Sequence, residues 1–389
     1  LSLGATDEID LTATALDFNG TVAISGDTTI EAGADLITAT AGTDNIRIGE
    51  DAGDTIASGA EYNIVIGKNA GTALTTGDRN IAIGVDALLT EDANGRNIAI
   101  GYKALEDLDA GADGNNVAIG DLAARNVTTG TENIIIGGGA ATALTTGSRN
   151  VAIGRTSLQL DTVGSRSVAV GYGTLTNQNY TTATSNYNVA VGYAAGNDIT
   201  TGIQNSLFGA QAGDAFVDAH GNIAVGYQSL TADTEGNYST AVGYAALAAQ
   251  NFTTNTTTHN VAMGYASGND VTTGQYNAFF GSGTGAKLTD ADNNTALGSH
   301  ALNSDTLGSR STAVGFETLK NQNFTTATSS DNVAVGYQAG LDLTTAQYST
   351  FVGAFAGSNV TTGDYNTAIG RYALLSNQTG QYNTAVGSN

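Results

Sequence analysis

The chain has 389 residues, a formal net charge of −23, 52 glycines, and neither proline nor cysteine. Disulfides and zinc–thiolate sites are therefore excluded, and nucleic-acid or anionic-bilayer binding is disfavoured, because only 13 Lys plus Arg are present and they are scattered. No apolar run approaches the roughly 20 residues of a membrane span, no signal peptide is visible, and apolar residues do not recur at helical spacing.

Residues 1–44 form a first segment, a β-rich entry or shaft region. The stretch from Asp10 to Gly26 mixes polar and apolar residues with glycine turns and continues through Thr28-Thr-Ile30. It is similar to the short-strand shafts of phage tail fibres.

From Asn45 onward a five-residue phrase, Asn/Ser-x-x-x-Gly, recurs twenty times, up to Asn383–Gly387. Its glycines fall mostly 17 residues apart, and from Gly120 the steps run 17, 17, 17, 21 and repeat, a super-period of 72. So short and regular a period predicts a solenoid over residues 45–389, with one coil per repeat. In Asn150-Val-Ala-Ile-Gly154, Val151 and Ile153 share one strand face and Ala152 takes the other. Val151 and Ile153 are the expected core residues. The glycine ends the strand where a side chain would clash, and the asparagines can bond along their column. Seventeen residues span about 56 Å of extended chain, enough for two short strands and two turns, hence two sheets about 10 Å apart. Twenty coils at about 4.8 Å make a rod roughly 90–95 Å long, and so thin a core favours lateral association.

The middle slot of the phrase is Ala in most coils, but Ile135, Leu207, Phe279 and Phe351 occupy it every 72 residues, with Val65 in the equivalent coil of the first block. If that slot faces away from the core, Ala permits close approach of another surface and the bulky residues plug gaps in it. Ile135, Leu207, Phe279 and Phe351 then mark an oligomer seam. The other reading is an Ala-rich outer sheet with occasional exposed aromatics. Arg47, in the first coil, fits a wetter terminal face.

The phrases NVAIG, SVAVG and NTAVG resemble the head repeats of trimeric autotransporter adhesins of the YadA type. The resemblance covers residues 45–389. It implies an all-β, left-handed parallel β-roll, a homotrimer around an axis, and a place on the extracellular or virion surface. The 17-residue coil is longer than the usual head repeat, and no neck, heptad stalk or membrane anchor is present in the sequence given, which reads as a piece of something longer. Tail fibres also use such rolls as modules. The expected function is a structural fibre or adhesin that extends from a virion or cell and contacts host glycans or a receptor. The alternatives are a bacterial adhesin head and, further off, a glycan-degrading tail spike.

The 21-residue coils carry the one recognition feature: Asn179-Tyr180, Asn251-Phe252 and Asn323-Phe324 each set an aromatic among amides and hydroxyls. Such a set suits sugars, which need a stacking plane and directional hydrogen bonds. The competing reading packs each ring on a neighbouring coil. His220, His259 and His300 share no repeat position and read as exposed turn residues. The acids Asp107, Asp109 and Asp113, or Asp290 and Asp292, could hold Ca²⁺ but lack the calcium-coil register, so solvated turns are expected and no cofactor is assigned. No recurrent carboxylate pair faces a groove, so no enzyme is expected. The Thr-Thr turns are interrupted in several coils and form no continuous ice-binding ladder.

Overall fold

The computed structural model divides into residues 1–38 and 39–389. It describes residue 42 and residues 44–388; the expected entry segment lies almost wholly outside them. The described residues contain no helix. Every phrase forms one three-residue strand, from Ile46–Ile48 to Thr384–Val386, and the twenty strands make one parallel sheet. Register is strict: Ile81, Ala82 and Ile83 pair with Ile98, Ala99 and Ile100, and so along the whole ladder.

The expected second sheet is reduced to two-residue strands in the long coils, such as Gly164–Ser165 paired with Thr184–Ser185. Elsewhere the return side of each coil runs through turns. It alternates conformations so tightly that leucines adopt left-handed backbone angles, with φ of 51° at Leu88 and 50° at Leu105. Such residues cost roughly 1–2 kcal/mol each. The turns still bond coil to coil, for example Leu88 N to Ala104 O at 3.0 Å, which holds them in place.

The strand's inside and outside are the reverse of the sequence expectation. The middle residue faces the core, with Ala82, Ala152 and Ala313 fully buried. The flanking Val and Ile side chains point outward and are half-exposed to exposed, as at Ile134 and Ile153. Period-two alternation was correct; assigning the larger pair to the core was not. In coils such as those of Leu88, Leu158, Leu230 and Leu319 the core space is already filled from the return side by a leucine four residues past the glycine, so the strand beside it has room only for Ala.

This corrects the seam. Ile135, Leu207, Phe279 and Phe351 are fully buried inside the chain itself and cannot meet a partner. They are large because the facing positions are small. A methyl on Gly268 would lie 3.0 Å from the Phe279 ring and one on Gly285 2.8 Å from it. Phe351 lies between Gly340 and Gly357 in the same way, and Leu207 between Gly196 and Gly213. Ala313 instead sits in the coils of Leu302 and Leu319. From Leu207 on, each 72-residue super-period thus holds one coil with a bulky middle residue between two Gly and one with Ala between two Leu, as Ala241 between Leu230 and Leu247. The other two have Ala between one of each, as Ala224 between Gly213 and Leu230.

The phrase glycines have φ between +124° and +142°, and a methyl on Gly264 would lie 2.4 Å from the Gly281 carbonyl oxygen of the next coil. No other residue fits there.

Candidate interaction surface

The asparagine column bonds along the axis as expected. Asn80 N donates to Asn63 Oδ1 at 2.8 Å, Asn97 N to Asn80 Oδ1 at 3.0 Å, and Asn133 Nδ2 to the Gly147 carbonyl at 3.0 Å. At Ser167, Ser239 and Ser311, three of the four places where Ser replaces Asn, the following long coil supplies the missing carboxamide. Gln178 Nε2 donates to Ser167 Oγ at 2.8 Å and to Asp161 Oδ2 at 2.6 Å, while its Oε1 accepts from Asn188 Nδ2 at 2.9 Å. Gln250 and Gln322 bond Asp233 and Asp305 in the same way, each at 2.5 Å. The Asp161, Asp233 and Asp305 side chains are fully buried. Burial pushes all three carboxyls above the usual range, against the hydrogen bonds from glutamine and backbone N–H groups.

These networks settle where the loop residues go. Tyr180, Phe252 and Phe324 are only 5%, 6% and 4% exposed. The Tyr180 hydroxyl donates to the Gly202 carbonyl at 2.6 Å, and burial raises its pKa. The rings close the corner over the buried aspartates and offer no plane to a sugar, so the packing reading replaces glycan contact. Asn179, Asn251 and Asn323 are exposed. Their Oδ1 atoms accept from Thr162, Thr234 and Thr306 hydroxyls at 3.0, 3.2 and 3.2 Å. Without the rings these amides form no recognition set.

The acidic clusters fare differently from one another. Asp113 pairs with Arg96 at 2.7 Å, and Asp290 and Asp292 accept hydrogen bonds from Thr273 and from Gln275 N. Glu91, Asp92 and Asp109 bring carboxylate oxygens within 4.8 Å of one another, a grouping the sequence spacing did not suggest. Glu91 already accepts from Asn94 N at 3.0 Å. Among the histidines, His259 is exposed and stacks between Tyr238 and Tyr276, while His220 is half-buried and its Nδ1 accepts from Ile203 N at 3.1 Å.

The surface that sequence reasoning missed is the outer face of the strand sheet. Alternation puts four residues of each coil on it: the one before the asparagine, the two outward strand residues, and the one after the glycine. The central columns are Val, Ile and Thr, with Phe208, Phe280, Met263 and Leu297 and the smaller Ser206 and Ala278 among them. The rims are aromatic and charged. After the glycine, Tyr227, Tyr244 and Tyr265 stack with centroids 5.4 and 5.2 Å apart. Before the asparagine, Tyr348, Tyr365 and Tyr382 stack at 4.9 Å, and Arg79 and Arg166 lie over Tyr62 and Tyr187. The residues before the asparagine share a left-handed backbone, with φ of 62° at Arg149 and 57° at Tyr365. A count at this offset would have exposed the pattern, since Arg or Tyr fills it in most coils.

No protein-family model matches the chain, and no curated protein matches it at a significant level.

Proposed function

We propose that this chain is the rigid shaft or head of a surface fibre, of the tail-fibre or adhesin kind, and that it works as a parallel homotrimer packed through the outer face of its strand sheet. The observation that supports this is the anatomy of that face. Two apolar columns run the length of twenty coils, rimmed by aromatic and charged columns, the arrangement of a protein interface with an apolar centre and polar rim. At about 4.8 Å per coil and about 20 Å across its four outward residues, it covers on the order of 1,900 Å², more than the roughly 800 Å² per partner of a standard interface. Solvent exposure of so large an apolar patch is rare in a monomer.

The burial of Tyr180, Phe252 and Phe324 favours extension over glycan display. The carboxyls of Asp161, Asp233 and Asp305 are fully enclosed, which gives no support to a glycan-degrading reading.

Light scattering tests the assembly. The intact chain is expected at three times its 39.1 kDa mass. Ile98→Asp/Ile100→Asp, placed on the outer face, is expected to yield a folded monomer. An intact chain that is monomeric at micromolar concentration refutes the reading.

A further inference from the structure

Eight of the 16 tyrosines stand in columns where tyrosine stacks on tyrosine from one coil to the next. On the rim after the glycine these are Tyr172 with Tyr193, and the run Tyr227, Tyr244 and Tyr265. On the rim before the asparagine they are Tyr348, Tyr365 and Tyr382, the tightest set. Its ring centroids are 4.9 Å apart at both steps, with planes 14° and 3° from parallel, and the three residues are 44%, 46% and 73% exposed. In-register stacking sets like atoms of successive rings one above another, so the carbons beside the two hydroxyls lie about 5 Å apart. The chain offers an oxidising radical few other exits, since it has no Cys, no Trp and one Met. We propose that these columns are sites of oxidative coupling, in which stacked tyrosines of successive coils become joined as dityrosine and staple the solenoid along its length. No other tyrosine stacks on a tyrosine among the described residues. Phe355 separates Tyr337 from Tyr372, His259 separates Tyr238 from Tyr276, and Arg79 and Arg166 lie over Tyr62 and Tyr187.

The reaction balances with a one-electron oxidant of the haem-peroxidase type and hydrogen peroxide as co-reactant. Each phenol gives up one electron and its hydroxyl proton. The two phenoxyl radicals pair their electrons in a carbon–carbon bond between the positions beside the hydroxyls. The hydrogen on each of those carbons then moves to the neighbouring oxygen, which restores both phenols. The two electrons and two protons removed reduce one peroxide to two waters. The position of the columns suits this chemistry, because the rim of an interface stays in contact with solvent, and covering the sheet by a second copy leaves the ring edges reachable. In the tightest set the bonds tie the strands Thr350–Val352, Thr367–Ile369 and Thr384–Val386 together through their flanking side chains. The exposed Arg371 lies between Tyr365 and Tyr382, and a backbone cut there no longer separates the coils on either side. A link that closes so short a loop also restricts the unfolded chain, as a disulfide does.

Treatment of the intact chain with a haem peroxidase and limiting hydrogen peroxide tests this, read by dityrosine fluorescence, a denaturing gel and peptide mapping. Trypsin applied after denaturation cuts after Lys320 and Arg371, so the bond between Tyr365 and Tyr382 joins peptides 321–371 and 372–389. The oxidised chain is expected to run at single-chain mass on the gel and to yield that joined peptide, lighter by two hydrogens than the sum of its parts. Tyr382→Phe keeps the stacked ring without the hydroxyl and is expected to lose the joined peptide. Phe355→Tyr added to the Tyr382→Phe chain sets a phenol beside Tyr372, whose ring centroid lies 5.1 Å from that of Phe355, and is expected to restore it. Fluorescence no greater than that of free tyrosine treated at equal concentration overturns the proposal. So does a product found as covalent dimers and trimers in place of single chains, or a joined peptide that persists in Tyr382→Phe.

Discussion

Phe279 decides between a packed solenoid core and an oligomer seam. Its ring lies between Gly268 and Gly285, both without a β-carbon, so Phe279→Ala leaves a void that no neighbouring side chain can fill. Phe→Ala in a core costs about 3–5 kcal/mol, and the poor prospects for collapse here place the expected loss near the upper end. The same protein contains the remedy. Leu247, Leu302 and Leu319 occupy the position of Gly268 and Gly285 in other coils, with φ of 50°, 51° and 47°, and the strands of those coils carry Ala. Phe279→Ala/Gly285→Leu puts such a leucine into the space the ring vacates and is expected to recover part of the loss, with Gly268 kept because a β-carbon there would lie 2.9 Å from Leu247 Cδ2. A solenoid unfolds as coupled repeats, so hydrogen exchange of the strand Ala278–Phe280 and its neighbours is the assay, alongside the urea midpoint. Oligomer mass should not change. A Phe279→Ala chain that keeps its exchange protection but falls from oligomer to monomer would refute the core assignment and reinstate the seam.

Two further predictions concern the buried polar corners. Asn186 Nδ2 is buried without a hydrogen-bond partner, whereas the equivalent residues 72 and 144 positions later are Thr258 and Ser330, whose hydroxyls bond both ways. Asn186→Thr should therefore stabilise by about 1 kcal/mol, read as a higher urea midpoint, and a loss would show that the amide has a partner after all. The raised carboxyls of Asp161, Asp233 and Asp305, with Glu91, bind protons more tightly folded than unfolded. Their contribution is fully present below the unfolded value near 3.9 and is lost as pH rises through the folded values. The melting temperature should then rise on acidification from neutral towards pH 4, helped by relief of the −23 charge. Asp161→Asn/Asp233→Asn/Asp305→Asn should flatten that dependence; Asn377 shows that the corner accepts an amide, since its Oδ1 takes the Gly380 N–H at 2.8 Å. A melting temperature that falls on acidification would refute the burial argument.

The fold was legible because its signals are local and repeated. The glycine column needs φ near +130°, the asparagine column bonds its own neighbours, and one period fixes every strand register. What misled was size. Among Val151, Ala152 and Ile153, alternation says which residues share a face but not which face is inward, and hydrophobicity favoured the larger pair. The deciding fact is elsewhere in the coil: the leucines that fill the core lie in left-handed turns, where neither strand nor helix periodicity marks them. The loop aromatics stayed between two readings for a related reason. Their partners, Asp161 and the Gly202 carbonyl for Tyr180, come from the coils on either side, and nothing in the loop's own sequence declares that a carboxylate lies beneath it.

The inverted assignment changes what the apolar residues are for. A roll that fills its interior with Ala, Leu and a few Phe leaves an apolar residue, mostly Val or Ile, on the outside in every one of twenty successive coils. A monomeric solenoid gains nothing from that, since Thr serves the strand equally well and is tolerated at Thr240, Thr312 and Thr367. The cover must also run the length of the sheet, repeat with its pitch and accept aromatic and arginine rims on both edges. Another copy of the same solenoid meets all three requirements, because its own face has the same length, pitch and rims. On the proposed assembly, the lateral association argued from a thin core has a different origin: the core is complete, and it is the outer sheet that a second copy would cover.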